Sequence, residues 1–204
     1  MYKRTRAGED ALSASNLNVN RENGTLELRG IREVRNPVSG GPQVSMDLDI
    51  FVPTTDSQTV EHNRVETGLG DINVSNTAGY PELVTDLRDI RTTGVTGFTG
   101  IEGDGDVELT LRSIERQKDP VNVDSGNLTL RLTSDLDCVF DLSVDSGEIV
   151  NHGVPLTNVS QGEESLSGQL GEGENTLTGS VRAEIFTCIR STNHSETAIF
   201  SIIA

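Results

Sequence analysis

The residues best suited to chemistry are few. Glu102-Gly103-Asp104-Gly105-Asp106 alternates acidic side chains with glycine in turn-like sequence, and hard cations such as calcium take oxygen ligands of this kind. The segment lacks the EF-hand pattern and its closing bidentate Glu, so Glu102, Asp104 and Asp106 form a weak calcium candidate beside a simpler reading, a solvated acidic turn. Cys138 and Cys188 are the two cysteines, and neither has a second Cys or a His at ligand spacing, which argues against zinc. Cys138 alternates in step with Phe140, Leu142 and Val144 and should point into a core. The pair is either a cross-sheet disulfide, worth roughly 4 kcal/mol in loop-closure entropy, or two buried thiols in a reducing compartment. His62, His152 and His194 sit in polar sequence without a ligand set, and His194-Ser195 adjacency is poor geometry for a base and its nucleophile. There is no nucleophile elbow, zincin helix, phosphate-binding lysine loop or dinucleotide fingerprint. No catalytic residue and no cofactor is assigned, and the chain is expected not to be an enzyme.

The composition narrows the partners. The chain has 204 residues, 32 acidic against 16 basic, and a net charge of −16. Such a surface disfavours nucleic acid, whose phosphates need a basic footprint, and anionic membranes. All the basic residues except Lys3 and Lys118 are Arg, and there is no Trp. At molar salt the Debye length falls to about 3 Å, which screens the self-repulsion of so acidic a chain. Acid-rich, Lys-poor and aromatic-poor, the chain resembles proteins of extreme halophiles; an ordinary acidic protein of a GC-rich genome is the other reading. No apolar leader follows the basic start, and no apolar run is long enough to span a bilayer as a helix.

These residues must be positioned mainly by strands. Leu26 and Leu28 alternate with polar residues, as do Met46, Leu48, Ile50 and Val52, and then Val107, Leu109 and Leu111. Asn36-Pro37 to Pro42 reads as a turn. Pro81 with Leu83, Val84, Leu87 and Ile90 at helical spacing predicts one short helix. Glycines at 94, 97, 100 and 103 then recur every third residue. Four such repeats without proline are too few for a collagen-like triple helix; the segment is read as a surface loop, with Gly94, Gly97 and Gly100 as candidate contacts between subunits.

Lys118-Asp119-Pro120 reads as a junction between an N-terminal β-rich assembly domain, 1–118, and a C-terminal β-sandwich, 119–204. Beyond it Arg131, Arg182 and Arg190 are the only basic residues. Strand signals recur at Leu128–Leu132, Cys138–Val144, Ile149–Leu156, Leu166–Leu170, Leu177–Ile189 and Ile199–Ile203. Turn signals separate them at Asp145-Ser146-Gly147, Gly162-Glu163 and Gly171 to Asn175. About seven short strands in this span resemble the broad immunoglobulin-like class of Greek-key sandwiches. The expected fold is therefore all-β, two sandwich- or barrel-like domains with one helix in the first; the alternative is a single jelly roll.

A compact β-domain followed by an immunoglobulin-like one is similar in general architecture to phage tail-tube and capsid-decoration proteins, which is fold-level analogy. It implies a non-enzymatic virion structural protein of a virus of halophilic archaea: a capsid, decoration or tail subunit, homo-oligomeric and bound to other virion proteins. Its location would be the virion, assembled in the host cytoplasm. Lys3, Arg4 and Arg6 would dock on an acidic neighbouring subunit. The competing expectation is a carbohydrate- or surface-binding sandwich module of a haloarchaeal cell-envelope protein, although no Trp is present to stack on sugar rings.

Overall fold

A computed structural model describes residues 15–22, 25–32, 63–76, 80–114, 119–133, 135–182, 185–193 and 195–202. The chain divides into two compact units, Met1–Phe51 and Val52–Ala204. In the first, β1 (Ser15–Glu22) and β2 (Thr25–Arg32) pair antiparallel from Ser15↔Arg32 to Glu22↔Thr25. Between them in sequence stands Asn23-Gly24, a dipeptide favoured in two-residue hairpin connections. The alternation of Met46 to Val52, the Asn36–Pro42 turn and the basic residues Lys3, Arg4 and Arg6 lie outside the described residues.

The second unit is a stack of coils. Its strands are β3 (Asn63–Thr67), β4 (Ile72–Ser75), β5 (Pro81–Thr85), β6 (Ile90–Val95), β7 (Gly100–Gly103), β8 (Val107–Leu111), β9 (Asp119–Val123) and β10 (Leu128–Thr133). After them come β11 (Cys138–Val144), β12 (Ile149–His152), β13 (Thr157–Gln161), β14 (Ser165–Leu170), β15 (Asn175–Val181), β16 (Ile185–Asn193) and β17 (Ser195–Ile202). From β3 to β12 the chain alternates between two sheets, one strand in each per coil. The first sheet runs β13-β14-β11-β15-β9-β7-β5-β3 and the second β12-β16-β17-β10-β8-β6-β4.

Successive coils pair in parallel, Asn63 on Pro81, Glu82 on Gly100 and Ile101 on Val121 in the first sheet. In the second, Ile72 lies on Ile90, Ile90 on Val107 and Val107 on Leu128. The all-β, two-sheet expectation holds, but the connectivity is that of a parallel β-solenoid. An immunoglobulin-like Greek key or a jelly roll requires antiparallel neighbours; among the described residues of this unit these appear where β14 and β13 are added beyond β11 and where β17 folds back on β16, β10 and β12. The 118/119 junction is also not a boundary. β9 begins there and lies between β7 and β15, so both sheets continue through it.

The expected helix is replaced by β5 and β6. Leu83 and Thr85 point inward, then Ile90 and Thr92, with Val84 outward and Leu87 57% exposed on the turn between the strands. Two period-2 strands separated by a four-residue turn mimic helical spacing over one window. Pro81 is tolerated as the first residue of its strand, where its missing N–H costs little. The glycine run is a loop only at residues 96–99: Gly94 lies near the end of β6, Gly97 lies in the connection, and Gly100 and Gly103 bound β7.

In-register stacking gathers like residues into columns. Leu83, Ile101 and Val121 form one on the first sheet; Ile72, Ile90, Val107 and Leu128 form another on the second, all buried. Each inward aliphatic covers its counterpart one coil away, and burying a Val, Leu or Ile side chain contributes about 1.5–3 kcal/mol. The alternations at Val107–Leu111, Leu128–Leu132 and Cys138–Val144 are borne out, every inward side chain buried.

Thr92 breaks its column. It is 2% exposed between Val74 and Leu109, and its Oγ1 has no hydrogen-bond partner among the described residues. Thr85, buried on the first sheet, donates its hydroxyl to the Gly70 carbonyl at 3.4 Å. Thr92→Val should therefore stabilise the fold by about 1–2 kcal/mol by removing an unsatisfied hydroxyl, and Thr85→Val by less. Denaturant unfolding in molar salt reads both; equal effects would mean that the Thr92 hydroxyl finds a partner in solution.

Candidate functional site

The acidic residues of the turns form a coil-to-coil ladder. The Asp89 N–H donates to Asp71 Oδ1 at 3.4 Å, the Asp106 N–H to Asp89 Oδ1 at 3.2 Å, and the Asn127 N–H to Asp106 Oδ1 at 2.9 Å. The return bonds are backbone: Ile72 N–H to the Asp89 carbonyl at 2.9 Å, Ile90 N–H to that of Asp106 at 2.9 Å, and Val107 N–H to that of Asn127 at 2.8 Å. Each rung thus gives the next coil a side-chain acceptor and a backbone donor. This is how the turn joins the two sheet ladders without leaving its own N–H groups unpaired.

The ladder changes chemistry at Asn127. Its Nδ2 donates to Asp106 Oδ1 at 2.8 Å, so Asp106 receives two bonds from one residue. A carboxylate at 127 would instead face Asp106 with like charge. Asn127 Oδ1 is buried and has no partner among the described residues.

This arrangement accounts for the acid-glycine alternation. Asp106 is a ladder acceptor, Asp104 Oδ1 accepts the Ser125 hydroxyl, and Glu102 stands exposed on the outer face of β7. Gly105 and Gly126 are demanded by close stacking. A Cβ on Gly105 would lie 2.6 Å from the Arg88 carbonyl oxygen, and one on Gly126 (φ +108°) 2.6 Å from the Gly105 carbonyl. Glu102, Asp104 and Asp106 are thus not brought together as a ligand set, and among the described residues no three His, Cys, Asp or Glu side chains are.

The glycines expected at subunit contacts divide. Gly94 and Gly97 are buried. Gly94 adopts φ +67°, and a Cβ there would approach Arg112 Nε and Asn76 Oδ1 to 2.9 Å. That space is used by Arg112, which reaches over the intervening coil to donate to Asn76 Oδ1 at 3.1 Å. Gly100 has nothing within 4 Å of its Cβ position and leaves a gap in the outer face of the first sheet. Cys138 is buried on β11; Cys188 is on β16, whose side chains lie outside the described residues. His152 is exposed on β12, and His62 and His194 lie outside the described residues.

The outer faces differ in character. On the second sheet Glu108 lies between two arginines, bonded to Arg131 and 3.8 Å from Arg91 Nε, while Arg91 also pairs with Asp89 at 2.9 Å. On the first sheet Arg64 bonds Glu82 one coil on and Glu66 on its own strand at 3.1 Å. The Glu82 hydrogen bond first, then that of Glu66, hold the Arg64 pKa above the ordinary guanidinium value. Toward β11 and β14 the first sheet carries one uncharged row of small residues, Asn122, Ser180, Ser143 and Ser165, with Ser180 donating to Asn122 Oδ1 at 2.8 Å. Compared with known protein families, curated proteins and solved structures, the chain matches none.

The ladder makes Asp106 a structural residue. Asp106→Ala should cost about 1–2 kcal/mol, the lower part of the range for hydrogen bonds to charged groups because the site is exposed. Asp106→Asn, which keeps an acceptor, should cost less. Denaturant titration in molar salt compares them, and identical losses would show that the acceptor contributes nothing.

Proposed function

We propose that this chain is a non-enzymatic structural subunit that assembles with copies of itself and with other virion proteins in a virus of halophilic archaea, as a capsid, decoration or tail component. The observation that carries the structural part is the turn ladder. Of the carboxylates that sequence alone offers to a metal, Asp106 and Asp104 are hydrogen-bonded from coil to coil, and Asp71 and Asp89 extend the same ladder, where they hold the stack together. The acidic composition supports the saline setting, and a stiff stack of coils with broad outer faces suits a component that presents surface to neighbours.

A second reading, a surface- or carbohydrate-binding module of a haloarchaeal cell envelope, is favoured by one observation: the row of hydroxyls and amides on the first sheet, Asn122, Ser180, Ser143 and Ser165. Such a row offers many hydrogen-bonding groups and no stacking ring.

Light scattering after size exclusion in molar salt separates the two. A discrete oligomer or larger assembly is expected; a monomer at every concentration, retained on immobilised envelope polysaccharide, would replace the first reading by the second.

A further inference from the structure

We infer that the β3/β4 end of the solenoid is a self-association surface on which a second copy of this chain stacks end to end, the two β3 strands antiparallel about a two-fold axis. The inference rests on the self-assembly part of the proposed function and names the surface and partner.

The two ends of the first sheet are built differently. At the far end, β13 slips register against β14 between Thr157 and Ser160, holds Asn158 at φ 52°, and exposes all five of its residues. Bulges and left-handed residues of this kind blunt an edge against pairing with another chain. At the near end, β3 pairs with β5 in unbroken register from Asn63↔Pro81 to Thr67↔Thr85, and β3 itself contains neither proline nor bulge. Among the described residues β5 is its one neighbour, and β6 is that of β4.

The core is also less closed at this end. Val65 and Val74 point inward yet are only half-buried. One coil on, Leu83 and Thr92 are 0% and 2% exposed, and two coils on Ile101 and Leu109 are both 0%. The two interior columns that end at Val65 and Val74 therefore stop one layer short of the cover their other members have, whereas Ile72 on the same coil is buried.

Charge selects the partner. Arg64 and Glu66 flank Val65 on the outer face, with side chains 51% and 64% exposed. In an antiparallel β3 pair centred on Val65, Arg64 of each copy lies opposite Glu66 of the other, and Val65 lies opposite Val65. Directly opposed residues have Cβ atoms about 5 Å apart, and opposite charges there are favourable while like charges are not. The strand is thus complementary to itself under a two-fold, which is the requirement for an isologous contact.

The test is a charge exchange at the lowest salt that preserves the β circular dichroism signal. Wild type should scatter as a dimer or a multiple of one. R64E and E66R should each lose that association, since each opposes like charges across the two-fold. An equimolar mixture of the two should recover it, because positions 64 and 66 are then both acidic in one copy and both basic in the other, and each cross-strand pair joins opposite charges. The doubly exchanged R64E/E66R chain should recover it alone, which guards against a single variant that merely misfolds. If the variants keep the wild-type mass, or if well-folded variants do not reassociate on mixing, this surface is not the contact while self-assembly stands. A wild type that is monomeric throughout overturns both.

Discussion

The coils of the second unit from β3 to β10 depend on parallel, largely in-register hydrogen bonding with one another. That geometry places each residue about 4.8 Å from its counterpart in the neighbouring coil, so a residue must be compatible with its own column as well as with solvent or core. Aliphatics satisfy this readily, and the interior columns are almost wholly Leu, Ile and Val. Charges do not, and the outer faces set Arg64 against Glu82 and Glu108 between Arg91 and Arg131. Backbone approach is the third demand. Gly105 and Gly126 meet it where any Cβ would strike the coil beneath.

The same geometry gives the acidity a structural meaning. A row of carboxylates one coil apart is repulsive, yet each of Asp71, Asp89 and Asp106 accepts the N–H of the next rung, and charge-assisted bonds of this kind are stronger than neutral ones. Concentrated salt removes the longer-range part of the repulsion while leaving contact hydrogen bonds in place. A ladder of acids is therefore a better joint in brine than in dilute buffer, and it converts an abundant surface residue into a connector.

Much of the strand content was legible, because Val107–Leu111, Leu128–Leu132 and Cys138–Val144 alternate cleanly between core and solvent. The solenoid was not, since the coil length drifts: Ile72, Ile90, Val107 and Leu128 are successive partners at unequal spacing. The signal that marks it is an acid or Asn immediately before an apolar residue, at Asp71-Ile72, Asp89-Ile90, Asp106-Val107, Asn127-Leu128 and Glu148-Ile149. It is short and easily lost among so many acids. The helix was misread because Leu87, apolar and on the right spacing, is a turn residue in solvent. The alternation of acid with glycine around the candidate calcium ligands is a real signal of close stacking, but periodicity within a chain does not reveal that the partners of Asp104 and Asp106 lie a full coil away.

One departure from simple winding has a consequence for how the chain reaches this structure. β15 does not follow its predecessors to the outside of the stack: it enters between β9 and β11, pairing with both in parallel. The coils up to β10 each pair with the one before, and β11, β14 and β13 make an antiparallel patch of local contacts in the first sheet. The two parts then share no first-sheet strand until residues 175–181 arrive, a long-range closure that belongs among the slow steps of folding. In an ordinary solenoid, loss of the last strands shortens the rod by a coil. Here it removes the keystone, so the C-terminal segment governs whether two halves become one body.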